Sequence, residues 1–467
     1  MTAVFCFTDS KNGNAFNLSL VYDIRVATKF TEGRILLMIR ESIQKSLDYI
    51  DSNVKEDILA EDLAKTAGYS VFHFYRLFQS AVGFPVMQYV LRRKLLHAIY
   101  EIGTGKKKNE VVYEYGFETY SGFYKAFIRE IGYTPAQYLQ SFKAKKPYRV
   151  NVFQEEHIMV SNKTISDILK RWGLENEKIT DIVFPETGEI SDTAKYVGED
   201  TVIKYTSNLA NVKKAIEISR ALENVGLNSP VVVLTRDGKE FVQNGELYFV
   251  LTRRIDGKRV MASGLYLDDY KEKARFIGEI VGQLDMALSK IDVLADEADL
   301  GKAVKEFAVP IIKDKMDLDE GFLDEFTDRF EKLYDQLPRQ IIHRDPNPSN
   351  IILADDKWGF IDFELSENNA RLFDPCYAAT AILSETFDGD EEKLLNWVEV
   401  MKEIMYGYDC VVKMTDGEKK AVPYMILANQ FVSTAFFFGK DKYEELYKIN
   451  RKMTEWIAKN LDKMSIL

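Results

Sequence analysis

Between Ile341 and Glu364 the chain sets out, in order, the side chains that the transfer of a phosphoryl group would need. A strand-like run leads into His343-Arg344-Asp345-Pro346-Asn347-Pro348-Ser349-Asn350, followed by Ile351-Ile352-Leu353 and then Ile361-Asp362-Phe363-Glu364. A carboxylate on a tight polar loop, here Asp345, can take the proton of an attacking hydroxyl. Asn350 and Asp362 offer the hard oxygen atoms that magnesium prefers when it bridges nucleotide phosphates. A single polar turn between strands is common, but two in this order and at this spacing are not.

This segment resembles the aminoglycoside phosphotransferase and choline kinase group, relatives of the protein kinases. The group usually has a small residue where this chain has Arg344, a departure that leaves the base and the metal ligands intact. Asp374-Pro375 and the helix-like run after it also match what the group places behind its site. The resemblance implies an ATP- and magnesium-dependent phosphotransferase, with GTP as a second candidate donor, acting on the hydroxyl of a small molecule. Asp345 would be the base, Asn350 and Asp362 would hold magnesium, and Asp374 would support the loop. Protein phosphorylation fits less well, because Asp362-Phe363-Glu364 stands where Asp-Phe-Gly would and no Ala-Pro-Glu follows.

Such a site needs a nucleotide-cradling lobe upstream, and residues 176–260 have the strand, helix, strand pattern for one. Thr201-Val202-Ile203-Lys204-Tyr205 reads as a strand with one lysine among apolar neighbours. Lys204 would hold the α- and β-phosphates, and a helix from about Ala210 to Asn224 would present Glu217 as its partner. Leu247 to Leu251 reads as the strand leading into a hinge, with the turn Ile255-Asp256-Gly257 after it. Pro185-Glu186-Thr187-Gly188 offers a single glycine to a phosphate loop, so Gly188 is the one loop contact expected. Glu385, Asp388 and Asp390, beyond the catalytic loop, could meet a cationic substrate.

The front of the chain carries a different pattern. Residues 34–147 hold seventeen Lys and Arg against twelve Asp and Glu, a balance of +5, whereas residues 148–467 balance at −16. Two similar units, Gly68 to Phe78 and Gly116 to Phe127, recur about 49 residues apart, each closed by a further glycine, Gly83 or Gly132. A short amphipathic helix from Ile58 to Lys65, a glycine break and a Ser or Thr cap before the next helix make a helix-turn-helix. Phe74 with Phe78, and Phe123 with Phe127, point inward. Phe72, Tyr75 and Arg76 in one unit, and Ser121, Tyr124 and Lys125 in the other, are left for the major groove of double-stranded DNA. A long helix from Met87 to Ile102 would hold the two readers apart. This part, about Glu41 to Phe142, resembles the DNA-binding domain of the AraC family of transcription regulators, which ends in Gly-x-x-Pro-x-x-Tyr; here that is Gly132 to Tyr138.

The chain therefore reads as multi-domain: an all-α double helix-turn-helix domain followed by an α+β bilobal protein-kinase-like domain. The expected boundaries are an extension over 1–35, the DNA-binding domain over 36–145, a linker and leading helix over 146–175, the N-lobe over 176–260 and the C-lobe over 261–467. The 467 residues exceed the roughly three hundred that such phosphotransferases occupy, which leaves room for both. Hydrophobic residues at 46% with charged residues at 29% describe an ordinary globular chain without a run of about eighteen apolar residues. Cys6, Cys376 and Cys410 follow no disulfide or zinc spacing, which favours a reducing interior and the cytoplasm. Residues 1–35 lack the pattern of a signal peptide, and a natural start at Met38 is the expectation. The alternative function is a regulator whose kinase-like domain senses a nucleotide or ligand without turnover. Lys204, Asp345, Asn350 and Asp362 are all retained, which favours turnover.

Overall fold

The computed structural model describes residues 37–154, 159–354, 357–387 and 389–467. The 1–35 extension, Cys6 and Asp388 lie outside them. Helix α1 (37–52) and helices α2 (Ala60–Ala67), α3 (Val71–Val82), α4 (Val86–Gly103), α5 (Lys108–Glu114), α6 (Tyr120–Ile131) and α7 (Pro135–Ser141) form the N-terminal part. The starts of α3 and α6 follow from their caps. The Ser70 hydroxyl accepts from His73 N–H at 3.4 Å and the Thr119 hydroxyl from Gly122 N–H at 3.1 Å. Thr134 and Gln137 close a capping box on α7, with Pro135 in its first turn.

Phe74 and Phe78 from α3 pack with Tyr89 of α4 in one core, while Phe123 and Phe127 from α6 pack with Val111, Val112 and Tyr138 in another. Helix α4 contributes to both cores and so fixes the two units relative to each other.

After α8 (Asn162–Leu169), five antiparallel strands form the first sheet of the second part: β1 (Ile179–Val183), β2 (Ile190–Val197), β3 (Thr201–Thr206), β4 (Val242–Asn244) and β5 (Leu247–Arg253), in the order β1-β2-β3-β5-β4. Helix α9 (Leu209–Asn224) leaves β3 and packs across this sheet through Val212 and Ile216. The remainder is largely helical around α10 (Tyr270–Leu288) and the helices Phe373–Thr386, Glu391–Val411 and Asp416–Phe437, which share one large core. The catalytic-loop segment emerges from strand Arg339–Ile342 and returns through the hairpin Ile351–Leu353 and Trp358–Phe360, at the edge of that core facing the first sheet.

The segment from 143 onward is strapped down. Val150 and Val152 are buried in the α1–α4 core, Gln44 is hydrogen-bonded to the backbone of both, and Arg149 pairs with Asp48 of α1 and with Asp441 of the C-terminal part. The DNA-binding helices also meet β1 directly. A Cβ at Gly132, whose φ is +93°, would lie 2.6 Å from Thr180 Cα, so only glycine lets the end of α6 close onto the strand.

Candidate active site and DNA-facing surface

Asp345 sits on a loop braced from beneath. His343 and Arg344 donate their N–H groups to the two oxygens of buried Asp374, at 2.7 and 2.9 Å. These bonds hold Arg344 at a φ of +72°, a conformation uncommon for a residue with a side chain. His343 is fully buried and neutral: Nδ1 accepts from Asp345 N–H at 3.2 Å, Nε2 faces Ile361 O at 3.0 Å, and burial pushes its pKa down to about 4. Across the loop, Asn350 Nδ2 donates to the backbone oxygen and to Oδ2 of Asp345 at 2.9 and 3.1 Å, and Asn347 Nδ2 donates to Oδ1 at 2.7 Å. The Tyr377 hydroxyl also hydrogen-bonds Asp345. Burial raises the Asp345 pKa to about 6, against the pull of Asn347 and with help from nearby Asp362.

Asp362 follows the hairpin at a φ of +77°, which turns its carboxylate into the cleft, where the side chain is 49% exposed. Lys204 Nζ on β3 reaches Asp362 Oδ1 at 3.0 Å and Glu364 Oε1 at 2.8 Å. Burial alone would lower the lysine and raise Asp362, but their attraction outweighs it, so Lys204 stays firmly charged and Asp362 is held below the usual carboxylate range. Glu364 is pushed up by burial and by Asp362 beside it.

The structure thus brings Asp345, Asn350, Asp362 and Lys204 together, and corrects two other expectations. Glu217 is not the partner of Lys204. On α9 the inward positions are Val212, Ile216 and Ser219, and Glu217, one residue past Ile216, points to solvent. Glu364 takes that place. Gly188 does not present its N–H to a phosphate: the group donates to Phe184 O at 2.8 Å, and a Cβ there would lie 2.0 Å from Lys143 O. Among the acidic residues beyond the loop, Glu385 lines a cavity and is raised to about 8 by burial, Glu186 and Asp345, whereas Asp390 caps the helix Glu391–Val411.

Of the cavities that border the site among the described residues, two are large. One, of about 460 Å³, lies between the first sheet and the hairpin, with Ala194, Val202, Thr252, Ile352 and Ile361 as apolar walls and Lys204, Asn350 and Asp362 at its polar end. Its volume is in the range of small-molecule sites. The other, of about 660 Å³, is bounded by Asn347, Ser349, Tyr377, Glu385 and Phe387. A divalent cation fits the polar end: Asp362 and Glu364 share one lysine, Asp345 adds further negative charge, and the donors are oxygen. Among the described residues no group of three or more His, Cys, Asp or Glu is arranged to hold a metal.

Of the residues expected to meet DNA, Phe72, Tyr75 and Arg76 on α3 and Ser121, Tyr124 and Lys125 on α6 are all exposed, Phe72 at 76%. Phe72 therefore does not pack on a neighbouring helix.

Two families match the chain. One described as a helix-turn-helix domain covers residues 63–141, and one described as a phosphotransferase enzyme family covers residues 192–396. The chain joins an AraC-type helix-turn-helix domain to a domain that matches the phosphotransferase enzyme family. The Transposon Tn10 TetD protein of Escherichia coli is 31% identical over 97 residues, 21% of this chain and 70% of that protein. The uncharacterized HTH-type transcriptional regulator YbfP of Bacillus subtilis is 30% identical over 110 residues, 23% of this chain, which spans only 37% of that regulator. A solved structure of a microcompartment-associated aminopropanol kinase superposes with a TM-score of 0.50 at 11% identity, over 65% of this chain and 98% of the other, and shares the fold. Among the described residues no helix is long and apolar enough to cross a membrane.

The sequence reading missed Glu364 as the lysine's partner, and also Tyr377 and Asp285. Glu364 was readable in the motif, two residues after Asp362. Tyr377 and Asp285 carry no local signal, since only folding brings them to the loop.

Proposed function

We propose that this protein is a DNA-binding regulator whose second half transfers the terminal phosphoryl group of ATP, or of GTP, to the hydroxyl of a small molecule. The observation that carries the reading is the convergence of Lys204 from β3, Asp345 and Asn350 from one loop and Asp362 from the turn after the hairpin, three separate chain segments. Asp345, fixed by Asn347 and Asn350, accepts the substrate proton, and its raised pKa suits that task near neutral pH. Lys204 orients the α- and β-phosphates, and Asn350 with Asp362 would hold magnesium. The chemistry such a cation would supply there is neutralisation of charge on the phosphates. The 660 Å³ cavity beside Asp345 would take the acceptor. Glu385 and Glu186 there make a hydroxylated amine the favoured class, because a cation would offset the negative charge that, together with burial, raises Glu385. The exposed faces of α3 and α6 would read double-stranded DNA. Magnesium-dependent consumption of ATP with amino alcohols, aminoglycosides, sugars and nucleosides tests the catalytic half. The expected result is turnover with one class of hydroxylated amine; nucleotide binding without turnover on any of them would leave a sensor instead.

A further inference from the structure

The DNA-binding part does not hang from the phosphotransferase part on a free tether; it supplies walls to both cavities. Tyr133 and Phe142, at the ends of α6 and α7, line the cleft that holds Lys204 and Asp362. Tyr100 of α4 and the segment 143–146 line the cavity beside Asp345. Between them lies the loop 184–189, which borders both cavities and is clamped from both sides. Lys143 N–H donates to Pro185 O at 3.1 Å, Lys145 pairs with Glu189, and the Glu186 carboxylate accepts from the N–H groups of Ala262 and Ser263 at 2.8 and 2.9 Å.

The loop also spends its own donors. Gly188 N–H goes to Phe184 O and Glu189 N–H to the Thr187 hydroxyl. To offer those groups to a phosphate the loop must open, and opening strains its ties to Lys143 and Lys145. The strands behind it cannot absorb the movement alone. Val183 and Ile190 sit in the same core as Phe127 and Tyr138, and Arg92 of α4 forms a buried ion pair at 2.5 Å with Asp181 of β1, which is also paired with Lys195 of β2.

We infer that the nucleotide of the phosphotransferase site is an effector of DNA binding, read by direct contact through loop 184–189 and the 133–146 segment. The inference rests on the function proposed above. If phosphate binding and the loop's grip on 143–145 compete, the two arrangements differ in nucleotide affinity, and linkage requires DNA and nucleotide to alter each other's binding by one common factor.

The test uses the full chain, the non-hydrolysable analogue AMP-PNP with magnesium, and a short fluorescent duplex selected from a random pool by the protein itself. Calorimetry gives the analogue's Kd with and without duplex, anisotropy gives the duplex Kd with and without analogue, and hydrogen exchange reports on 133–146 and 184–189. The expected result is a change of at least about fivefold in the duplex Kd, the same factor in the analogue's Kd, and altered exchange in both segments. Analogue binding that leaves the duplex Kd within about twofold and exchange in 133–146 unaltered would overturn the inference alone. Absence of analogue binding would overturn the phosphotransferase reading and this inference with it, and failure to select any duplex would remove the DNA half and the inference together.

Discussion

The chemistry of single residues is set here by burial more than by charge. Asp345 keeps its proton to about pH 6 because burial outweighs the hydrogen bonds from Asn347 and Tyr377. With Asp345 as the base, kcat/KM should rise with pH below about 6 and level off above it, since that ratio reports the free enzyme. Tyr377→Phe removes a hydrogen bond that favours the carboxylate, so the acid limb of that profile should move upward, by up to about one unit. An unmoved limb would mean that Tyr377 does not touch the base. Behind the loop, the Asp285 carboxyl donates to Asp374 and accepts from the Tyr408 hydroxyl at 2.6 Å, and burial raises both acids. Their proton is bound more tightly in the folded chain than in the unfolded one, so its contribution to stability is complete below about pH 4 and is lost as pH rises. Asp285→Asn can make the same two hydrogen bonds without a titrating proton. Its Tm should fall less steeply than the parent's as pH rises above about 4; an unchanged slope would place the pH dependence elsewhere. His343 acts in the opposite sense: depressed to about 4, it resists protonation in the folded state, and stability falls as pH drops below about 6.5.

At the scale of elements, the helices were legible because each announces its limits. Ser70, Thr119 and Thr134 mark starts, and the apolar spacing separates Phe74 and Phe78, both buried, from Phe72 before them and Arg76 between them. The catalytic loop and the Lys204 strand were legible for a similar reason, since their chemistry demands particular side chains at close spacing. Glu217 failed because strand β3 says nothing about the rotation of α9 around its axis, and a one-residue offset turns a side chain by roughly 100°. Gly188 failed because a glycine in a turn says where the backbone bends and not what lies against it. The exposed residues of α3 and α6 carry a direct prediction. Arg76→Ala and Lys125→Ala should each weaken binding to duplex DNA, and each should reduce the slope of log Kd against log salt by about 1 if the lost contact is to a phosphate. Full affinity in both variants would mean that DNA meets another face.

For the molecule as a whole, two families were readable from motifs, but the surface that unites them was not. Arg92 and Asp181 stand 89 positions apart, and neither belongs to a motif. Their contact with Lys195 puts one carboxylate between two buried cations at the junction of α4 with the first sheet. Asp181→Asn leaves both cations without a counter-charge and should cost about 3–5 kcal/mol by chemical denaturation, the scale for breaking a buried pair. Because Val183 and Ile190 share a core with the DNA-binding helices, that loss should appear in both halves together. Separate transitions, with the helix-turn-helix half unaffected, would show that the two halves fold as independent bodies.

The central claim is that Asp345 is the base of a working phosphotransferase, and the most direct measurement compares the full chain with Asp345→Asn for magnesium-dependent phosphorylation of hydroxylated amines. The Asn variant keeps the size of the side chain and still has Asn347 and Asn350 beside it. The predicted result is turnover by the parent and its loss, by about a hundredfold or more, in the variant, with nucleotide affinity retained in both. Equal turnover by the two proteins would contradict the assignment.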